Sequence, residues 1–190
     1  MFNGIGFAGR MKSGKDTSAA YAKEKIIRWK GSNYEVQKMA FAEPLKEICM
    51  EFMGLNKYEC YDQEGKAEYN EFWGMTNREI LQRVGDGMRK TVHPDFWTKI
   101  MEERIAECVD NGTFFIITDV RYPNEAELIR KYGGKIVQIQ RDAVEPNTGI
   151  DHPSERPLSQ DHVDYVIHNN GTLHDLELSV CRFIEDYRRK

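Results

Sequence analysis

The chain has 190 residues, 40% of them hydrophobic and 31% charged, with a formal net charge of −4 at pH 7. That length suits one domain, or one core with lobes inserted into it, and it is long enough to bury a real core. The acidic balance gives no overall basic field for nucleic acid, no apolar run is long enough to span a membrane, and no signal-peptide pattern opens the chain.

Residues 3–8 predict a first strand, followed by Gly9-Arg-Met-Lys-Ser-Gly-Lys-Asp-Thr17 and an alanine-rich helix over 18–29. Residues 34–41 hold a short second strand, and Pro44 opens a helix to about residue 53. Residues 54–73, polar and aromatic, predict an irregular insertion. Thr76 with Glu79 has the form of a capping box for a helix to about residue 90. Pro94 opens another helix, with Phe96 and Trp97 in its first turn, that ends at Asn111-Gly112. The apolar run 114–118 predicts a buried parallel strand with Asp119 at its C-terminal end. A helix over 124–132 and a strand over 136–140 follow. Residues 141–160 contain Pro146, Pro153 and Pro157 and predict a long loop, for which a lid is the usual reason. A last strand over 163–168 precedes a helix opened by Thr172 and Asp175, with Leu176, Val180, Phe183, Ile184 and Tyr187 in one stripe. Strands alternating with helices give an α/β protein with a parallel sheet, whose ligands bind beyond the carboxyl ends of the strands.

Two stretches carry chemistry. Gly9, four residues, Gly14 and Lys15 match the phosphate-binding loop between a strand and a helix. Glycines let backbone N–H groups converge on phosphate oxygens, the helix start adds its dipole, and Lys15 adds a mobile charge. The pattern asks for Ser or Thr after the lysine, whereas Asp16 stands there with Thr17 next. Asp16 is a candidate metal ligand and Thr17 a candidate phosphate contact; the competing reading is a glycine turn that caps a helix. Asp119 has the placement of a Walker-B acid, and Arg121, Asn124 and Glu125 offer contacts to a phosphate, a sugar or a base. Equally, Asp119 and Glu125 suit a helix-opening turn.

Further candidates are weaker alone. Lys46, Arg78 and Arg89 read as surface cations or as phosphate ligands. Trp73 and Trp97 read as core or as stacking platforms for a base. Arg141, where the lid begins, suits charge neutralisation during phosphoryl transfer. His152, Ser154 and Glu155 sit too close together for a triad and suit lid hydrogen bonding. Asn169-Asn-Gly-Thr forms a glycine turn with a possible backbone contact to adenine. The four cysteines, Cys49, Cys60, Cys108 and Cys181, lack metal or redox spacing and predict free thiols in a reducing cytoplasm.

Taken in order, the phosphate loop, Phe41-Ala-Glu-Pro-Leu-Lys46, Arg78-Glu-Ile-Leu-Gln82, Asp119-Val-Arg-Tyr-Pro-Asn-Glu125, His152-Pro-Ser-Glu155 and Ile167-His-Asn-Asn-Gly171 resemble the deoxynucleoside monophosphate kinases of bacteriophages across nearly the whole chain. That family shows the same Lys-Asp-Thr ending of the loop. The resemblance implies a P-loop NTPase three-layer sandwich with a five-stranded parallel sheet and NMP-binding and lid insertions. The expected divisions are a core of 1–41 and 112–190, an NMP-binding lobe of about 42–111 and a lid of about 141–160. The implied reaction moves the γ-phosphoryl of ATP to a deoxynucleoside monophosphate, with Mg2+. Gly9, Arg10, Lys12, Ser13, Gly14, Lys15, Asp16 and Thr17 would hold the ATP phosphates, with Asn170 and Gly171 near the adenine. Lys46, Arg78, Gln82, Arg89, Trp97, Asp119, Arg121, Asn124, Glu125, His152 and Glu155 would serve the acceptor. Arg141 would bridge the two phosphate groups, and Asp16 and Asp119 would serve the metal. Lys15, Asp16, Arg121 and Arg141 are the expected catalytic set. The partners are then small molecules, with neither nucleic acid nor membrane, and the resemblance makes a homodimer possible. The rival readings are a phosphomevalonate or dephospho-coenzyme A kinase of the same layout, and a nucleotide-binding regulator without transferase activity.

Overall fold

The computed structural model describes residues 2–142 and 158–188. Most of the expected lid, with His152, Ser154 and Glu155, therefore lies outside the described residues. The chain divides into two compact units, one running up to Ala40 and resuming at Glu102, the other Phe41–Met101. The second unit ends earlier than the 111 expected, because the helix opened near Pro94 runs on past the boundary.

The first unit is built on β1 (Gly4–Ala8), β2 (Val36–Met39), β5 (Phe114–Val120), β6 (Gly134–Gln140) and β7 (Tyr165–His168). They form one sheet in the order β2-β5-β1-β6-β7, and every pairing is parallel. Strand alternation sets the layers. Ile5 and Phe7 on β1, Phe114 and Ile116 on β5, and Val137 and Ile139 on β6 share a core with Ala19, Ala22 and Ile26 of α1 (Lys15–Lys30) and Leu176, Val180, Phe183 and Ile184 of α8 (Leu173–Arg188). The opposite face meets α7 (Pro123–Lys131), and a Cβ on Gly6 would lie 2.6 Å from the Ile129 side chain. Helices on both faces of a parallel sheet make the expected three-layer sandwich.

Of the predicted stripe on α8, Leu176, Val180, Phe183 and Ile184 are buried, and Tyr187 packs partly buried against them. Asp119 differs slightly from expectation. It lies within β5 rather than after it, since pairing with β1 continues to Val120 across an irregularity in register.

The second unit holds α2 (Glu43–Phe52), α3 (Lys57–Tyr61), α4 (Gln63–Ala67), a hairpin of β3 (Tyr69–Asn70) and β4 (Met75–Thr76), α5 (Asn77–Gly87) and the start of α6 (Phe96–Asp110). The insertion expected to be irregular is thus two short helices and a hairpin. Its helices are too short for a periodic signal, but Asn56 and Asp62 cap them through Glu59 N and through Glu64 N and Gly65 N. The capping box of Thr76 and Glu79 is present, at 3.3 and 2.8 Å. α5 stops at Gly87 and gives way to a π-helical turn, Met88–Val92, where a regular helix to about residue 90 was expected. Gly85 and Gly87 in the last turn disfavour a regular α-helix there. Cys49, Leu55, Cys60, Ile80 and Leu81 form this unit's core. Burial, followed by the neighbouring Cys60, pushes the Cys49 thiol up to about 11, which keeps it protonated and unreactive.

Candidate active site

Between the end of β1 and the start of α1 the backbone takes conformations that side chains resist. Gly9 has φ 142° and Gly14 has φ 103°. A Cβ on Gly9 would lie 2.5 Å from the Ile139 carbonyl oxygen, and one on Gly14 would lie 2.5 Å from Asn169 Nδ2. Both glycines are therefore required by space as well as by torsion. Lys12, at φ 64°, is the one non-glycine residue with positive φ among the described residues. The Lys15 ammonium donates to the carbonyls of Gly9 at 2.8 Å and Arg10 at 2.6 Å, and so draws the loop around itself. α1 has no side-chain N-cap, and its N-terminal end faces the loop with the positive end of the helix dipole. The Ser13 hydroxyl is buried without a hydrogen-bond partner among the described groups.

The end of β7 ties this loop to β6. Asn169 N donates to Gln140 O at 2.7 Å, and its buried side-chain amide donates to Ser13 O at 2.8 Å. Asn170 accepts from Asp142 N at 2.9 Å and donates back to the Asp142 carboxylate at 2.7 Å. Gly171 is exposed in the turn that follows. The glycine turn was legible in the sequence, but the anchoring roles of Asn169 and Asp142 were not, because their partners are far away in the chain.

Asp16 is exposed and accepts from the Lys38 ammonium at 3.0 Å. Lys38, on β2, escaped the sequence reading, and its place near the C-terminal end of a parallel strand was the available signal. Asp119 and Arg121 are half-buried at the end of β5, and Asn124 is half-buried in the first turn of α7. Glu125 is buried, and its carboxylate accepts from Arg121 N at 2.7 Å and Tyr122 N at 3.1 Å. That is the helix-opening geometry weighed against a substrate role. Arg10, Lys12 and Arg141 are exposed, and Thr17 is half-buried. The first unit thus gathers the phosphate loop, Asp119, Arg121, Arg141 and the Asn169–Gly171 turn at the carboxyl ends of its strands.

In the second unit, Arg78 and Gln82 stand four residues apart on α5 and share a face. Arg78 donates to Gln63 Oε1 at 3.0 Å. Arg89 lies on the π-helical turn, 3.7 Å from Asp86. Lys46, on α2, stands 4.0 Å from Glu43 Oε2 and 4.0 Å from the centre of the Tyr61 ring. The Tyr61 hydroxyl donates to Glu43 Oε1. Burial, with the Glu43 bond next, pushes the Tyr61 phenol up. Trp97 is 2% exposed and donates its indole N–H to Gly85 O at 2.9 Å, and Trp73 donates to Met53 O at 3.0 Å. Both indoles are thus used in the packing of this unit.

A glycine loop between a parallel strand and a helix, inside this sheet order, defines the fold of the P-loop kinases. Solved structures of that fold overlay on the chain. One is dephospho-CoA kinase from Campylobacter jejuni, at TM-score 0.51 and 14% identity over 100% of this chain and 98% of that one. Another is the Mycobacterium tuberculosis APS kinase in complex with AMPPNP and APS, at TM-score 0.51 and 13% identity over 97% and 98%. The family model described as deoxynucleotide monophosphate kinase matches residues 55–180, and the chain belongs to that family. A putative deoxynucleotide monophosphate kinase of Acanthamoeba polyphaga mimivirus is 29% identical over 96% of both chains. The deoxynucleoside-5'-monophosphate kinase of Escherichia phage T5 is 31% identical over 57% of this chain and 45% of its own length.

Proposed function

We propose that the chain transfers the γ-phosphoryl group of ATP to a deoxynucleoside monophosphate, giving ADP and a deoxynucleoside diphosphate. The observation that supports this most is the Lys15 ammonium, held by two loop carbonyls at a helix start without a side-chain cap, in a chain of this family. An acceptor phosphate oxygen attacks the γ-phosphorus. The bond to the β–γ bridging oxygen breaks, and ADP leaves with its electron pair. The protein has little covalent chemistry to do, so positioning and charge stabilisation carry the rate. Lys15 leaves the Gly9 and Arg10 carbonyls for the β- and γ-phosphates. The loop amides and Thr17 hold the remaining oxygens, and Asn170 and Gly171 border the adenine. Arg121 and Arg141 neutralise charge on the moving group.

Lys46, Arg78, Gln82 and Arg89 make the second unit the acceptor lobe. Trp97 and Glu125 are not carried into this reading, since both are committed to packing or capping. Among the described residues no group of three or more His, Cys, Asp or Glu side chains is placed to hold a metal. Asp16 and Asp119 suit Mg2+, which takes one or two carboxylates and draws its other ligands from phosphates and water. When bound, it would supply charge neutralisation to the phosphates.

We place the enzyme in a reducing cytoplasm, in keeping with its free thiols, and by resemblance as a homodimer, which sedimentation would test. The function is tested by coupled ADP release with each of the common deoxynucleoside monophosphates, phosphomevalonate and dephospho-coenzyme A in turn. Stimulation by at least one deoxynucleotide, and by neither of the other two acceptors, is expected. Stimulation by phosphomevalonate or dephospho-coenzyme A alone would replace this reading, and no stimulation by any acceptor would end it.

A further inference from the structure

Lys46 does not stand alone on α2. One helical turn before it is Glu43, whose carboxylate is its natural partner at i,i+3 spacing. Left to itself this pair would close. A closed pair would neutralise the ammonium and make it a poor phosphate ligand. Instead the Lys46 Nζ and Glu43 Oε2 stand 4.0 Å apart, at the outer limit of an ion pair. The Tyr61 hydroxyl occupies the other carboxylate oxygen, Oε1. The same tyrosine presents its ring to the ammonium at 4.0 Å from the centroid. The Lys46 side chain is only 16% exposed, so water does little to screen these contacts. Tyr61 closes α3, in the insertion that the sequence alone led us to expect as irregular.

We infer that Tyr61 is a positioning residue for the acceptor phosphate: its hydroxyl restrains the Glu43 carboxylate while its ring holds the Lys46 ammonium, so that Lys46 is presented to a phosphate rather than neutralised by its neighbour. This rests on the reading of Lys46 as an acceptor ligand. The acceptor phosphate then displaces only a weak ion-pair contact. The ring gives the ammonium a cation–π contact that costs it no hydrogen-bond donor. Glu43 and Tyr61 touch Lys46 rather than substrate.

Four variants test this: Lys46→Met, Tyr61→Phe, Glu43→Gln, and the double variant Tyr61→Phe with Glu43→Gln. The readouts are KM for the deoxynucleoside monophosphate and KM for ATP. Tyr61→Phe keeps the ring and the packing, frees Glu43 to close on Lys46, and is expected to raise the acceptor KM by about three- to tenfold with the ATP KM unchanged. Adding Glu43→Gln removes the charge that closes on Lys46 and is expected to return the acceptor KM to within about twofold of the parent. A residue with only a structural role would not be rescued by a second loss of a hydrogen-bonding partner. An unchanged acceptor KM in Tyr61→Phe, a rise shared equally by ATP, or a failure of Glu43→Gln to rescue each overturns the inference. Lys46→Met separates the two levels. If it raises the acceptor KM while Tyr61→Phe does not, only the role of Tyr61 falls. If Lys46→Met leaves the acceptor KM unchanged, the acceptor reading falls with it.

Discussion

Lys15 shows how one side chain sets the phosphate loop before any phosphate is bound. Its ammonium satisfies the Gly9 and Arg10 carbonyls, which point inward because Gly9 and Gly14 permit positive φ. Lys15→Met removes the charge needed at the transferring group, and kcat is expected to fall by about 10²- to 10³-fold with the circular dichroism spectrum unchanged. Activity near that of the parent would contradict the loop's assignment. Asn169→Ala is a second case. It leaves the Ser13 carbonyl without its buried donor and is expected to cost about 1–3 kcal/mol in a urea melt, with a higher ATP KM. Stability equal to the parent's would show that the Asn169 tie carries no weight. Gly9, Gly14 and Lys15 were legible because their spacing is local and their chemistry specific. Lys38, Asp142 and the bond from Asn169 to Ser13 were not, since their partners are brought together only by the sheet. Glu125 shows the converse. The sequence offered it both as a substrate contact and as a helix opener, and the bonds from Arg121 N and Tyr122 N show the second role.

Helices and strands carry the next level. The signals that held were those with a long period or a cap: the stripe on α8, the apolar run of β5, and the boxes at Thr76 and Thr172. α3 and α4 were not legible because five residues each give too little periodicity, so an insertion that supplies Tyr61 and Gln63 looked irregular. Thr76→Ala removes the hydroxyl that caps Glu79 N and is expected to lower stability by about 0.5–2 kcal/mol, read as a shift in urea midpoint with the slope unchanged. A midpoint equal to the parent's would contradict the cap. Both capping carboxylates are held below their ordinary range, Glu79 by its bond from Thr76 N and then by the Thr76 hydroxyl, and Asp175 by the Thr172 hydroxyl and then by Thr172 N. A depressed folded-state pKa means that this stabilisation is present above the unfolded-state value and is lost as pH falls through the folded-state one. Glu79→Gln with Asp175→Asn is therefore expected to flatten the acid side of the stability profile, and an unchanged profile would deny these caps a role.

At the scale of the whole molecule, the chain comprises two units with separate cores, one holding the phosphate loop and the other Lys46, Arg78 and Arg89. Ligands stabilise what they bind. ATP is accordingly expected to slow amide exchange first in the loop and the Asn169–Gly171 turn, and a deoxynucleoside monophosphate to slow it first in α2, α3 and α5. The reverse pattern would exchange the two roles. The parallel sheet and its three layers followed from strand and helix alternation together with the resemblance, whereas the order of the strands did not, because it is set by pairings between residues far apart in the chain. The central claim is transfer rather than hydrolysis, and the fate of the γ-phosphorus tests it most directly. With γ-32P-labelled ATP and a deoxynucleoside monophosphate, the label is expected in the β-position of the deoxynucleoside diphosphate, and Lys15→Met should slow its appearance there by the same factor as kcat. Label that accumulates only as inorganic phosphate, at a rate indifferent to the acceptor, would contradict the account.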